Sequence, residues 1–392
     1  MTMISYGRQH IDEEDIQAVV TCLRSNALTQ GPIVAEFEQA VAEYVGARFA
    51  VAVSSGTAGL HIAALAAGAK PGTALLTSPI TFVATSNAAV YAGATPLFAD
   101  VESETINISP AAVAQKLSEH SEIRIISPVH FAGLPCDMVA IKKMADRAGA
   151  VVVEDAAHAL GSRYADGSLV GNCKYSLMTV FSFHPVKSIT TGEGGMITTN
   201  DEETFRKLIR LRSHGINKDA DNYLSPQNAQ TDGVLNPWYY EMQELGFHYR
   251  ITDIQCALGV SQMKKLDAFV LRRRALAKRY DAAFAGSSFI KPAQTAGRNQ
   301  SAHHLYPVRI GFDAAGTTRA AFMGQLRSRG VITQVHYIPV TLQPFYQRLG
   351  CVNADYSNAN AYYTEALSLP LYVDLTDAQQ DSVIALMSEL LG

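Results

Sequence analysis

Between residues 48 and 215, short apolar runs alternate with segments whose apolar positions recur at helical spacing. Phe49–Val53, Ala74–Thr77, Thr95–Ala99, Ile123–Val129, Ala150–Glu154, Leu177–Phe181 and Gly195–Thr199 read as strands. Thr57–Ala67, Phe82–Tyr91 and Met138–Arg147 read as the helices between them. Val- and Ile-rich strands alternating with helices predict an α/β fold, a large mostly parallel sheet covered on both faces. Ligand sites on such sheets lie at the carboxyl ends of strands. Asp155, after Val151-Val152-Val153-Glu154, and the Ser182–Lys187 loop, after Leu177–Phe181, both fall there.

The rhythm breaks at residues 216–244, a long polar excursion that holds Trp238. Excursions of this length in a compact domain are usually functional or mobile. A helix is expected from Thr252, where Thr252-x-x-Gln255 fits a capping box, with Ile254, Leu258 and Leu266 on its apolar face. Further on, Tyr306–Ile310 and Val331–Val335 read as strands and Asp377–Leu391 as a final helix. The expected organisation is a large domain with an N-terminal arm over 1–250. A linking helix and a smaller C-terminal α/β domain then occupy 251–392.

Composition narrows the class. Of 392 residues, 48% are apolar and 17% charged, which supports a large core and argues against disorder. The net charge of -4 comes without a basic stripe, so nucleic acid is not an expected partner. The five cysteines, Cys22, Cys136, Cys173, Cys256 and Cys351, are scattered and never spaced as CxxC. That pattern fits reduced thiols in a cytoplasmic protein, with no metal framework. The N-terminus does not read as a signal peptide, and no apolar run approaches the roughly 20 residues of a membrane span.

Three segments carry chemistry. Ser54-Ser55-Gly56-Thr57-Ala58-Gly59 joins a strand to a helix, where Gly56 and the first helical amides can receive a phosphate. An ordinary strand-to-helix turn fits the same residues. Asp155-Ala156-Ala157-His158 places an acid at the end of an apolar strand, where it must be exposed, paired or functional. His158 suits a ring contact with a cofactor or simple hydrogen-bonded packing. Ser182-x-His184-x-x-Lys187 places a hydroxyl and an amine in one loop, followed by the glycine-rich Thr190–Gly195. A lysine and an upstream aspartate, each just past a strand, are what pyridoxal 5'-phosphate (PLP) chemistry needs. The amine condenses with the cofactor aldehyde, and the acid keeps the pyridine nitrogen protonated.

In this order, the segments resemble the fold-type-I PLP enzymes and, more narrowly, the DegT-type sugar-nucleotide aminotransferases. Leu28-Thr29-Gln30-Gly31-Pro32, Thr81-Phe82-Val83-Ala84-Thr85, Glu193-Gly194-Gly195 and Thr252-Asp253-Ile254-Gln255 extend the resemblance over nearly the whole chain. It implies that Lys187 binds the cofactor and moves the proton, and that Asp155 pairs with the pyridine nitrogen. Gly56, Thr57 and Ser182 would hold the phosphate, Phe82 would stack on the ring, and His158 would lie beside it. It further implies a homodimer with shared active sites. Here the chain departs from the pattern: His248 stands where the family usually has an Asn that reaches the neighbour's phosphate. An imidazole can still donate that bond.

Within the family, the chain most resembles the 4-aminotransferases of the pseudaminic acid pathway. The segments behind this are Tyr6, Asn26-Ala27-Leu28-Thr29, Ser213-His214-Gly215, His304-Leu305-Tyr306-Pro307 and Gln334-Val335-His336-Tyr337. By resemblance, Tyr6, Asn26, Ala27, Leu28, Thr29, Gln334, Val335, His336 and Tyr337 line a sugar-nucleotide site. The implied reaction passes an amino group from L-glutamate to C4 of UDP-4-keto-6-deoxy-N-acetyl-L-altrosamine. Open beside it are the same chemistry on another nucleotide-4-keto-6-deoxy sugar, a general amino-acid aminotransferase, and a PLP-binding regulator without turnover. Related sugar dehydratases carry His in place of the lysine, and Lys187 argues against them.

Overall fold

A computed structural model describes residues 3–352 and 356–391. Its centre is a seven-stranded sheet of β1 (Phe49–Val53), β2 (Ala74–Thr77), β3 (Thr95–Phe98), β4 (Ile123–Ser127), β5 (Val151–Asp155), β6 (Met178–Ser182) and β7 (Gly195–Thr199). The spatial order is β1-β7-β6-β5-β4-β2-β3. Pairing is parallel from β6 through β3, and β7 runs antiparallel to both of its neighbours. The expected mostly parallel sheet is therefore present, with one reversed strand.

Alternate strand residues feed two cores, as the two-residue period of a strand requires. Ala52, Leu76, Ile126, Val152 and Phe181 face the helices Pro32–Val45, Met138–Ala148 and Asp253–Met263. Val53, Leu75, Ile125, Val153 and Val180 face Gly56–Ala66, Ala84–Tyr91 and Glu202–Arg212. This alternation sends Glu154 and Asp155, neighbours in β5, to opposite faces.

The capping box at Thr252 and Gln255 is formed, and the helix runs over Asp253–Met263. Its buried stripe differs from the expected one. Asp253, Cys256, Ala257, Gly259 and Met263 are buried, whereas Ile254 and Leu258 stay half-exposed. The cause is the close approach of Phe37, which would lie 2.6 Å from a Cβ at Gly259 and so draws the glycine edge inward.

After the helix Leu266–Phe284, a second sheet forms from β8 (Ile290–Pro292), β9 (Tyr306–Ile310) and β10 (Ala366–Leu369), antiparallel throughout. Tyr280, Val308, Phe322, Leu367 and Met387 share its core with Ile4 from the N-terminal arm. The strand expected at Val331–Val335 is replaced by two isolated bridges, Ile4 with Val331 and Gln334 with Ser368. Its β-favouring residues reach no continuous partner edge. The 216–244 excursion folds as short hairpins and leaves Leu224 and Trp238 about three-quarters exposed. Among the described residues, no helix is long and apolar enough to cross a membrane.

Candidate active site

The loops leaving β5 and β6 bring the central groups together. Asp155 is buried at the end of β5. Thr85 Oγ1 donates to its Oδ2 at 2.6 Å, and the Ala157 amide donates to its Oδ1 at 3.0 Å. Thr85 belongs to the helix on the same face of the sheet, and Thr81 Oγ1 lies 2.8 Å from its hydroxyl. Lys187 keeps part of its surface open, but burial of its ammonium pulls the pKa down to about 8, with the Asp155 carboxylate opposing the shift. The amine is thus partly neutral in mildly basic solution.

An imidazole wall closes the site. The rings of His158 and His304 lie 4.4 Å apart, and Tyr337 Oη is 3.1 Å from His158 Nε2. His336 Nδ1 lies 2.8 Å from Ser368 Oγ, and the Tyr6 ring is 5.5 Å from the His336 ring. Burial, with the Lys187 charge, holds His158 and His304 well below the ordinary histidine range and His336 down at about 3. All three are neutral near pH 7. Burial also raises the Tyr337 hydroxyl, with Asp155 and Tyr6 contributing. Phe82 is 59% exposed, with its ring 6.4 Å from that of Tyr337. An aromatic face left this open can receive a flat ligand.

The phosphate-type residues form a separate cradle. Ser55 caps the helix Gly56–Ala66 through Ala58 N. The first intrahelical bond then reaches Gly59, so helix geometry leaves the amides of Gly56 and Thr57 without intrahelical acceptors. A Cβ at Gly56 would sit 2.9 Å from Ser182 Cβ, and one at Gly195 would sit 2.8 Å from the Gly56 nitrogen. Glycine at both positions lets the helix start approach the ends of β6 and β7.

Other expected residues lie elsewhere. Leu28 and Thr29 are tied to the start of the Asp253 helix: Asp253 N donates to Leu28 O at 3.0 Å, and Thr29 bridges Thr252. Asn26, Leu28 and Thr29 are exposed, and Ala27 half-exposed. Gln334 is exposed and pairs with Ser368, while Val335 is half-buried beside the histidine wall. His248 is exposed, its ring 5.4 Å from that of His214, and its backbone bridges Ser213.

The sequence reading missed several groups. Thr85 sits one helical turn beyond Thr81, a spacing that could have drawn notice. Behind Asp155, the fully buried Glu154 accepts from His130 Nε2 and Tyr164 Oη at 2.7 Å each, from Ser176 Oγ at 2.5 Å and from Thr179 Oγ1 at 3.0 Å. Cys136 N donates to His130 Nδ1, which fixes the proton on Nε2. Burial alone would push the Glu154 carboxyl up. The hydrogen bond from His130, with those from Ser176 and Tyr164, brings it below its ordinary value. No short spacing in the sequence signals this network.

Comparison with known proteins agrees with this geometry. A sequence profile of the DegT/DnrJ/EryC1/StrS aminotransferase family matches residues 9–388. The spore coat polysaccharide biosynthesis protein SpsC of Bacillus subtilis is 39% identical over 389 residues, covering 99% of this chain and 97% of its own. The UDP-4-amino-4,6-dideoxy-N-acetyl-beta-L-altrosamine transaminase of Campylobacter jejuni is 36% identical over 394 residues, 99% of this chain and 98% of that one. Among solved structures, Helicobacter pylori PseC, an aminotransferase involved in the biosynthesis of pseudoaminic acid, superposes with a TM-score of 0.89 at 29% identity, covering 100% and 99% of the two chains. The PLP form of Spr1654 from Streptococcus pneumoniae, a putative sugar aminotransferase, gives 0.88 at 27% identity over 99% and 98%. These likenesses and the seven-stranded sheet agree with the fold-type-I architecture expected from the sequence.

Proposed function

The chain belongs to the DegT/DnrJ/EryC1/StrS aminotransferase family, and from that premise we propose that it binds PLP and aminates C4 of a UDP-4-keto-6-deoxy-N-acetylhexosamine, with L-glutamate as donor. The favoured acceptor is the L-altrosamine derivative, by similarity to the Campylobacter jejuni transaminase and the Helicobacter pylori structure. The observation that carries the reading is the Lys187 amine, depressed to about 8 by burial and close enough to the buried Asp155 carboxylate to feel its charge.

The residues fit the cofactor. The Gly56–Ser182 approach is a cradle that a side chain would fill, and Gly56, Thr57 and Ser182 suit a phosphate. The two donors on Asp155 hold its carboxylate ready for a protonated ring nitrogen. The open Phe82 face suits the ring itself. When bound, PLP supplies an electron sink next to the carbon that exchanges its amino group. Lys187 Nζ then takes the proton from the donor Cα and returns it on the cofactor side, and reverses this for the sugar. Burial makes His158, His304 and His336 weaker bases than an ordinary histidine, which leaves the proton to Lys187. Tyr6, His336 and Tyr337 form the wall against which the sugar would be read.

The wider assignment follows the same reading. Residues 1–250 form the cofactor domain with its arm, and 251–392 the linking helix and small domain. The protein works in the cytoplasm as a homodimer. The exposed apolar residues of the 216–244 excursion support a partner contact, and His248 reaches the neighbour's phosphate. The exposed Asn26–Thr29 segment completes the substrate site.

The test is a single-turnover reaction. Enzyme converted with glutamate and freed of small molecules is mixed separately with UDP-4-keto-6-deoxy sugars, and the amino sugar is followed by mass spectrometry. Product from the L-altrosamine derivative supports the reading. Product only from a D-configured epimer supports a second reading, in which the same chemistry serves another nucleotide sugar; the Bacillus subtilis relative, named for spore coat polysaccharide biosynthesis, is what keeps it open. No product from any of them defeats both.

A further inference from the structure

The run Leu271-Arg272-Arg273-Arg274 lies inside the helix Leu266–Phe284. Arg272 reaches Asp377 at 2.9 Å, and Arg274 Nε donates to Ser301 O at 2.9 Å. Arg273 points inward and is 1% exposed. Among the described residues no carboxylate pairs with it. One guanidinium nitrogen donates to His304 O at 3.2 Å and to Leu371 O at 3.0 Å. The other makes a longer contact, 3.5 Å, with Lys187 O. Burial lowers its pKa only to about 10, so the group remains charged at neutral pH.

Buried charges are normally paired, because desolvation is unfavourable unless other groups replace the water. Here three carbonyl dipoles replace it, and each belongs to a wall of the pocket. Lys187 carries the amine. His304 packs its ring 4.4 Å from His158. Leu371 donates its amide to Tyr6 O at 3.0 Å. The Arg273 side chain also borders a cavity of about 10 Å³ under the amine loop, lined by Lys187, Ser188 and Thr190. From two terminal nitrogens the planar guanidinium reaches three segments in a fixed fork, a geometry that the compact ammonium of a lysine does not reproduce.

We propose that Arg273 is a positioning residue for Lys187, tying the amine-bearing loop to the His304 and Tyr6 walls through three backbone carbonyls. The inference rests on Lys187 being the reactive amine. Its test reads that amine directly in cofactor-free protein, so it stands apart from turnover. Arg273→Lys, Arg273→Met and, as a control, Arg274→Lys are compared with the parent protein. Trace acylation across pH, read by peptide mass spectrometry, gives the midpoint of the Lys187 amine, and thermal melts confirm folding. The expected result is a midpoint at least about one pH unit higher, toward the ordinary lysine value, in both Arg273 variants. Arg274→Lys should leave it in place. Unchanged midpoints in folded Arg273 variants would overturn the proposal. So would a rise in Arg273→Met alone, which would make the charge, not the tie, the cause. If Arg273→Met fails to fold, Arg273→Lys decides.

Discussion

The Thr85 hydroxyl donates to Asp155 Oδ2 at 2.6 Å, while the Ala157 amide occupies Oδ1. The carboxylate is therefore aimed by one helix and by its own turn before any ligand arrives. Such preorganisation spares the site from ordering a charged group at the moment of binding. Thr85→Val keeps the shape and removes the donor. Losing one bond to a charged acceptor weakens the arrangement by about 1.5–3 kcal/mol. PLP titration of the cofactor-free variant should show weaker binding by about tenfold or more. Unchanged affinity would mean that Asp155 needs no such support.

Gly56 makes a sharper steric prediction. Gly56→Ala places a Cβ 2.9 Å from Ser182 Cβ, inside any ordinary carbon contact. Overpacking of this kind typically destabilises by about 1–3 kcal/mol. Thermal unfolding should show that loss, and PLP affinity should fall further than the stability loss explains, because the cradle itself is filled.

Lys187 should be a liability to the cofactor-free fold. Its folded pKa is near 8, and an ordinary lysine titrates near 10.4. Between these values the unfolded chain binds more protons, so stability rises with pH from about 8 to 10.4. Below 8, the buried ammonium carries the full penalty. Lys187→Met should therefore stabilise the cofactor-free protein at pH 7. About 1–2 kcal/mol is expected, less than the whole shift, since part of the side chain meets water. Chemical denaturation at pH 7 and pH 10 checks both the gain and its loss at high pH.

The imidazole wall predicts acid sensitivity. His336 titrates near 3 when folded and near 6.5 when unfolded, and His158 and His304 shift in the same direction. The unfolded chain takes up protons first, so these groups favour folding above pH 6.5. That advantage is lost as pH falls from 6.5 toward 3. Each buried imidazole contributes a slope of up to about 1.4 kcal/mol per pH unit well inside the window. Replacing His304 with Asn should flatten the pH dependence of the melting temperature between pH 6 and 5. An unaltered slope would show that His304 is not buried as a neutral ring.

The β5 and β6 ends were legible because apolar strands stop abruptly at polar residues there, and Lys187 stood out against its buried flanks. Periodicity also gave the helix at Asp253, but not its rotation, since the approach of Phe37 to Gly259 is a long-range contact. Val331–Val335 has strand-forming residues without a strand, because pairing depends on an edge elsewhere in the fold. Arg273 was invisible for a related reason. Three consecutive arginines read as a solvated face, and only the packed helix shows which one turns inward. Asp155 was singled out while Glu154 read as an ordinary strand residue, and only the packed structure shows the side-chain network that Glu154 anchors on the opposite face.

Everything proposed for the site depends on Lys187 being the amine that holds PLP. It is tested most directly by saturating the protein with PLP, reducing with borohydride and mapping the modified peptide by mass spectrometry. A phosphopyridoxyl group is expected on Lys187 alone, absent when Lys187 is replaced by Ala. Modification at another lysine, or none at Lys187 under saturating PLP, would contradict it.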